Sequence, residues 1–208
     1  MASCIFSGTT RQRSTLVYGV GINDATYPTM TTIYGGRIRC PVYVVWLSML
    51  KRCYSPKYQQ TRPTYKGCSV APGWHSFMKF REWWLSNYID GYQLDKDILV
   101  PGNKVYSADT CLYVPQWLNL FTVVRNASRG ELPIGVSLRK SSNNKQYQAV
   151  CNVGNGKLVH LGLYVTPEEA HGAWLDHKLR LADNMICELE SILPGLHGKV
   201  RAKVLSLR

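Results

Sequence analysis

The sequence predicts an α+β protein, and three observations carry that prediction. Val42, Val45, Trp46, Met49, Leu50 and Cys53 recur at steps of three and four, the stripe of a half-buried helix. Three short strand-like segments, 134–139, 147–153 and 158–164, are separated by turn-forming residues, with Gly154-Asn-Gly156 as the hairpin signal between the last two. Thr166-Pro-Glu-Glu169 then opens a helix, with Thr166 as N-cap, Pro167 in the first turn and Glu169 closing a capping box.

In chain order, residues 1–39 are rich in Gly, Thr and Tyr and lack a helical period. They read as a basic extended arm with short strands, carrying Arg11, Arg13, Arg37 and Arg39 and turning at Gly35-Gly36. Gly19-x-Gly21 has neither a third glycine nor a following helix, so it is no dinucleotide fingerprint. The helix over 42–53 ends in Lys51 and Arg52, which suit its C-terminal dipole, and Pro56 closes it. A second helix runs over about 74–88, where Trp74, Phe77, Phe80, Trp83 and Trp84 are core aromatics at helical spacing.

Leu94-Asp-Lys-Asp-Ile98 then alternates as a strand does, Pro101-Gly102-Asn103 turns, and Lys104-Val-Tyr106 returns. A short helix over 115–120 completes a hairpin-plus-helix unit. A polar linker over 125–131 precedes the three strands. The helix after Pro167 continues through Ala170, Ala173, Trp174, His177 and Leu181, giving a three-stranded antiparallel sheet with one helix across it. The predicted organisation is a basic arm over 1–39, a module of hairpin and aromatic-rich helices over 40–125, a strand-and-helix domain over 132–185, and a basic tail over 186–208.

Composition narrows the function. The longest apolar run, Cys40 to Leu50, contains Pro41 and Ser48 and is far short of the roughly 20 residues a membrane span needs. The N-terminus shows no charged region followed by a long apolar stretch, so the expectation is a soluble, cytoplasmic protein with no membrane partner. Lys and Arg number 25 against 13 Asp and Glu, a formal net charge of +12. Residues 1–129 hold 15 basic and 6 acidic side chains, and residues 130–208 hold 10 and 7. That balance favours a polyanion, usually nucleic acid, over acidic small substrates.

The seven cysteines are odd in number and include no C-x-x-C, which argues against a disulfide framework. Cys40, Cys53, Cys68 and Cys111 share the first half of the chain, but spacings of 13, 15 and 43 fit no common zinc finger. Burial in the core is favoured for them over a structural Zn²⁺.

Gly135-Val136, Tyr147-Gln-Ala149, Leu161-Gly162, Tyr164, Thr166-Pro-Glu-Glu-Ala170 and Ala173-Trp174 stand in the order and spacing of the ethylene-responsive-factor (ERF) type DNA-binding domain, which residues 134–182 resemble. The resemblance implies a sheet face laid in the major groove of duplex DNA, reading bases from strand side chains. Strand alternation makes Arg139, Tyr147 and His160 outward-facing candidates, beside Lys140, Lys145 and Asn152. Ser137 and Asn152 stand where that family usually has basic groups.

Thr110-Cys-Leu-Tyr-Val-Pro-Gln-Trp-Leu-Asn119 is similar to the helix segment of the HNH (ββα-metal) endonucleases, and Leu94-Asp-Lys-Asp-Ile98 occupies the place of their Asp-His strand. With Cys40-Pro-x-Tyr43, Trp46-x-x-Met49-Leu-x-Arg52-Cys-Tyr54, Pro63-x-Tyr65 and Trp74-x-x-Phe77-x-x-Phe80, the resemblance to phage homing-endonuclease proteins spans residues 40–182. It implies a ββα-metal-like module cutting duplex DNA with Mg²⁺ or Mn²⁺. Asp95, Asp97 and Asn119 would be the metal ligands, with Asp97 or Lys96 in the base position, because the hairpin His is absent. Arg37 and Arg39 would hold phosphates. The alternative reading is a catalytically degenerate module that binds nucleic acid, RNA included, or inhibits a host protein.

Overall fold

The computed structural model describes residues 15–34, 36–123, 131–139, 144, 146–154 and 156–207. The chain divides into two compact units, and it passes between them three times. The first comprises Met1–Asp90 and Asn103–Tyr113; the second comprises Gly91–Gly102 and Val114–Arg208. The architecture is mixed α+β, as the sequence predicts.

The first unit begins with an antiparallel hairpin, β1 (Met30–Ile33) and β2 (Gly36–Arg39), in which Thr32 faces Arg37 and Met30 faces Arg39. Helix α1 (Pro41–Tyr54) starts at a proline, whose missing N–H costs nothing at a helix start. It buries Val42, Trp46, Met49, Leu50 and Cys53, the predicted stripe less Val45, which is half-buried. Short α2 (Pro56–Thr61) and a 3₁₀ turn over 63–65 follow.

Helix α3 (Phe77–Asn87) starts three residues later than the aromatic spacing suggests. Pro72–His75 form a separate 3₁₀ turn, and Ser76 caps α3 by accepting from the Lys79 N–H at 3.1 Å. The core here is a pile of rings. Phe77 lies edge-on to Tyr43 and tilted against Trp46, while Trp74 packs on Phe80 and Trp83. The Trp46 indole donates to the Trp74 carbonyl at 2.8 Å, which satisfies the one polar atom of a fully buried side chain. Gly21 lies against this pile: a Cβ there would sit 2.9 Å from the Trp46 ring, so the residue is glycine for close approach.

The expected hairpin between 94–98 and 104–106 does not form. Strand β3 (Ser69–Val70) instead pairs in parallel with β5 (Val105–Tyr106) in the first unit. Strand β4 (Tyr92–Asp95) pairs with β6 (Leu112–Pro115), whose last two residues lie with β4 in the second unit. The Asp95 carboxylate explains where β4 stops. Its Oδ1 accepts the N–H groups of Asp97 and Ile98, both at 2.8 Å, and turns the chain out of the ladder.

The second unit is built on the sheet β7 (Val136–Leu138), β8 (Tyr147–Asn152) and β9 (Leu158–Tyr164), antiparallel in that order. Val136, Ala149 and Cys151 face helix α5 (Pro167–Asn184) and pack on Ala170 and Trp174. Thr166 accepts from the Glu169 N–H at 3.2 Å, and Glu169 reaches back to the Val165 N–H at 3.3 Å. The capping box is therefore present with its return bond shifted by one residue.

Residues 186–205, expected as a basic tail, form two packed helices, α6 (Ile186–Ile192) and α7 (Leu196–Leu205). Leu189, Leu196, Val200 and Val204 are fully buried, each worth roughly 1.5–3 kcal/mol of transfer free energy. The Glu190 carboxylate accepts from the Gly195 and His197 N–H groups at 2.6 and 3.1 Å, which closes the α6–α7 turn. Helix α7 packs on α5, on α6 and on α4 (Gln116–Thr122).

Candidate nucleic-acid interface

The period-two geometry of β8 sorts its side chains. Ala149 and Cys151 are buried toward α5, so Gln148, Val150 and Asn152 stand on the opposite face. Ser137 pairs across from Gln148, and His160 pairs across from Val150. A register shift at Ala149/Val150 lets Leu161 pack inward while keeping His160 outward and exposed. Arg139 extends β7 through its N–H to the Gln146 carbonyl at 2.8 Å and is exposed on the same face as Ser137.

Two sequence expectations change here. Tyr147, expected to face outward, belongs to the buried face and packs against Val136, Ala149 and Ala170. Asn152 is exposed as expected, but its Oδ1 accepts from the Gly154 N–H at 2.9 Å and is occupied in shaping the hairpin turn. Lys140 and Lys145, and with them Arg11 and Arg13, lie outside the described residues. Gln148 is the outward residue the sequence reading missed. Its signal was available, because it sits one step from the apolar Ala149.

This face offers Arg139 as a fork of donors, Gln148 as a donor–acceptor amide and His160 as an imidazole. Exposed Leu158 and half-buried Val150 supply apolar surface. Those are the groups that read base edges: Gln can pair bidentately with adenine, Arg with guanine, and an aliphatic side chain can contact a thymine methyl. Arg37 and Arg39, in the first unit, project two residues apart from exposed β2.

The second cluster of expected site residues has a different character. Each oxygen of the Asp97 carboxylate is held by an ammonium: Lys96 Nζ lies 3.0 Å from Oδ2 and Lys203 Nζ 3.1 Å from Oδ1. Both lysines are buried. Burial by itself would push the Asp97 carboxyl up, but the two ammoniums hold it below the usual carboxylate range. Burial and then the neighbouring Asp97 charge push Asp95 up, against the two backbone N–H groups it accepts. Asn119 donates its amide to Gln93 Oε1 at 2.6 Å.

This donor set does not fit a divalent cation. A metal would have to displace two ammoniums from Asp97, and Asp95 Oδ1 already serves two backbone donors. A carboxylate held low by two cations is also a weaker base than an ordinary Asp. Lys203, the residue that completes this triad, was missed because the sequence reading placed it in the tail.

Cys40, Cys53, Cys68 and Cys111 are all buried, with Cys40 Sγ 3.7 Å from the Tyr27 hydroxyl. Among the described residues no three His, Cys, Asp or Glu side chains come together as metal ligands. Also among them, no helix is long and apolar enough to cross a membrane. No family model, no curated protein and no solved structure matches this chain.

Proposed function

We propose that the chain binds duplex DNA, with the outer face of β7–β9 in the major groove and α5 as its rigid backing. The observation that carries this reading is the outward set of exposed Arg139 and His160 with half-buried Gln148, on a sheet whose other face is given over to packing on α5. Size agrees. Three strands spaced about 4.8 Å apart span roughly 10 Å, within a major groove about 12 Å wide. The formal charge of +12 supplies a sequence-independent attraction to phosphate.

Phosphodiester hydrolysis with Mg²⁺ or Mn²⁺ is the reading that the HNH resemblance would add. The partners already held by Asp95, Asp97 and Asn119 favour binding without cleavage. The test is fluorescence anisotropy of the full chain on randomised labelled duplexes, followed by selection for preferred sequences. Arg139→Ala with His160→Ala is expected to weaken preferred sites at least tenfold and flatten sequence preference, since each base contact is worth about 1–3 kcal/mol. Unchanged affinity and preference would overturn the docking face. Metal-dependent nicking of supercoiled plasmid, lost in an Asp97→Ala, Asn119→Ala variant, would overturn the binding-only reading.

A further inference from the structure

The acidic residues of this chain are distributed very unevenly. The first 81 residues contain eleven Lys and Arg and one acid, Asp24. That one carboxylate is already engaged. Asp24 accepts the Ser76 hydroxyl at 2.6 Å and the Met78 N–H at 2.9 Å, so it serves the start of α3, and among the described residues no cation lies at ion-pair distance from it. A surface that needed charge only for solubility would intersperse both signs.

Six of the first unit's cations are carried by the elements that meet at one corner: the end of α1, α2, the 3₁₀ turn over 63–65 and the residue before β5. Lys51 and Arg52 close α1, Lys57 lies in the first turn of α2, Arg62 follows α2, Lys66 follows the 3₁₀ turn, and Lys104 precedes β5. Contacts fix three of them there. Lys104 Nζ donates to the Thr64 carbonyl at 3.0 Å. Lys51 Nζ lies 5.1 Å from the Tyr58 ring centroid, Arg52 Cζ lies 5.6 Å from that of Tyr65, and the two rings are 5.8 Å apart.

The corner is also fixed in shape. The Gln59 side-chain amide lies within hydrogen-bond distance of three carbonyls, Arg52 at 3.1 Å, Cys53 at 2.7 Å and Tyr65 at 3.3 Å, and so pins α1, α2 and the 3₁₀ turn to one another. Lys51, Lys57, Arg62, Lys66 and Lys104 are exposed, and among the described residues none has a carboxylate at ion-pair distance. Tyr58 and Tyr65 are half-buried between the cations, which holds two of the charged side chains over rings instead of leaving them free in solvent. Unneutralised cations carried on a fixed corner, with several directions of donation, suit a row of phosphates. A single small anion would use only one or two of them.

We propose that this corner is a second DNA contact, which grips the sugar–phosphate backbone without reading sequence. The inference rests on the DNA-binding reading and assigns it a site in the first unit. Covering three exposed cations with phosphate releases about three condensed counterions, so the slope of log affinity against log salt should depend on this corner.

The test uses the full chain and fluorescein-labelled random-sequence duplex DNA over a salt series. Lys57→Ala, Arg62→Ala, Lys66→Ala is compared with wild type and with the Arg139→Ala, His160→Ala variant, after circular dichroism has shown matching folds. The triple variant is expected to bind all sequences at least tenfold more weakly at low salt, with a salt slope shallower by about 2–3. Sequence preference is retained. Lys57→Arg, Lys66→Arg should keep both affinity and slope. Wild-type affinity and slope in the triple variant would overturn the second contact while leaving the sheet-face reading intact. Failure of the wild-type chain to bind any duplex would overturn both.

Discussion

Substituting alanine for Gly135 tests the packing of the sheet on α5 at its tightest point. Gly135 has a φ of +79°, a region in which an L-residue costs about 1–2 kcal/mol. A Cβ there would overlap Cδ1 and Cγ of the Trp174 ring and lie 2.8 Å from Trp174 Cβ. Trp174 is itself 6% exposed and shares a core with Ile134 and Cys151, so the ring has nowhere to retreat. Restoring ordinary contact needs a displacement of more than about 1 Å, and overpacking of that kind costs about 1–3 kcal/mol.

The two terms together give a loss of about 2–5 kcal/mol. Gly156→Ala supplies the control: its φ is +73° and nothing lies within 4 Å of the added atom, so only the backbone term applies. Urea unfolding of both full-length variants, followed by near-ultraviolet circular dichroism, measures the difference directly. Gly135→Ala should be the less stable by about 1–3 kcal/mol. Equal losses in the two variants would refute the claim that Trp174 closes over Gly135.

Two further predictions concern buried charge. Asp97→Asn leaves the buried ammoniums of Lys96 and Lys203 without their counter-ion; with Asp97 itself partly exposed, the expected loss in chemical denaturation is about 2 kcal/mol at neutral pH. Lys178 is a buried residue of α5 with its ammonium 3.6 Å from the Phe121 ring centroid, and burial pulls it below the ordinary lysine range. The folded chain therefore sheds this proton before the unfolded chain does, so between the lowered native value and about 10.4 Lys178 contributes stability that grows as pH rises. Lys178→Met should remove that increment, seen as a flatter curve of unfolding free energy against pH than wild type; an unchanged slope would show that the site does not disfavour the ammonium.

The parts of the fold that were legible in the sequence are those fixed by neighbours along the chain. The α1 stripe, the strands over 136–164 and the Thr166 cap each follow from residues within one or two turns of each other. The hairpin at 94–106 failed for an equally physical reason. Alternation in Leu94-Asp-Lys-Asp-Ile98 says nothing about where the Asp95 oxygens go, and they take the N–H groups the ladder would have used. Val105 and Tyr106 were then free to pair with Ser69 and Val70, more than thirty residues earlier. In α7 the four-residue step Leu196, Val200, Val204 was present but masked by the glycines and cations around it. Of the interface, alternation located Arg139 and His160, but it could not tell that the inward position belongs to Tyr147.

The assignment of Gly91–Gly102 to the second unit has a consequence for how such a chain can be cut or inherited. A fragment beginning near residue 132 would carry the sheet, α5 and α7 but not Asp97, and Lys203 would lose the carboxylate it is paired with. A proteolytic fragment of that length should therefore be less stable than the same residues in the whole protein. At the level of genes, exchanging this unit by a single crossover would strand the twelve residues left upstream. Recombination that preserves the fold has to respect three junctions at once, which ties the basic first unit and the strand-bearing second unit into one heritable piece.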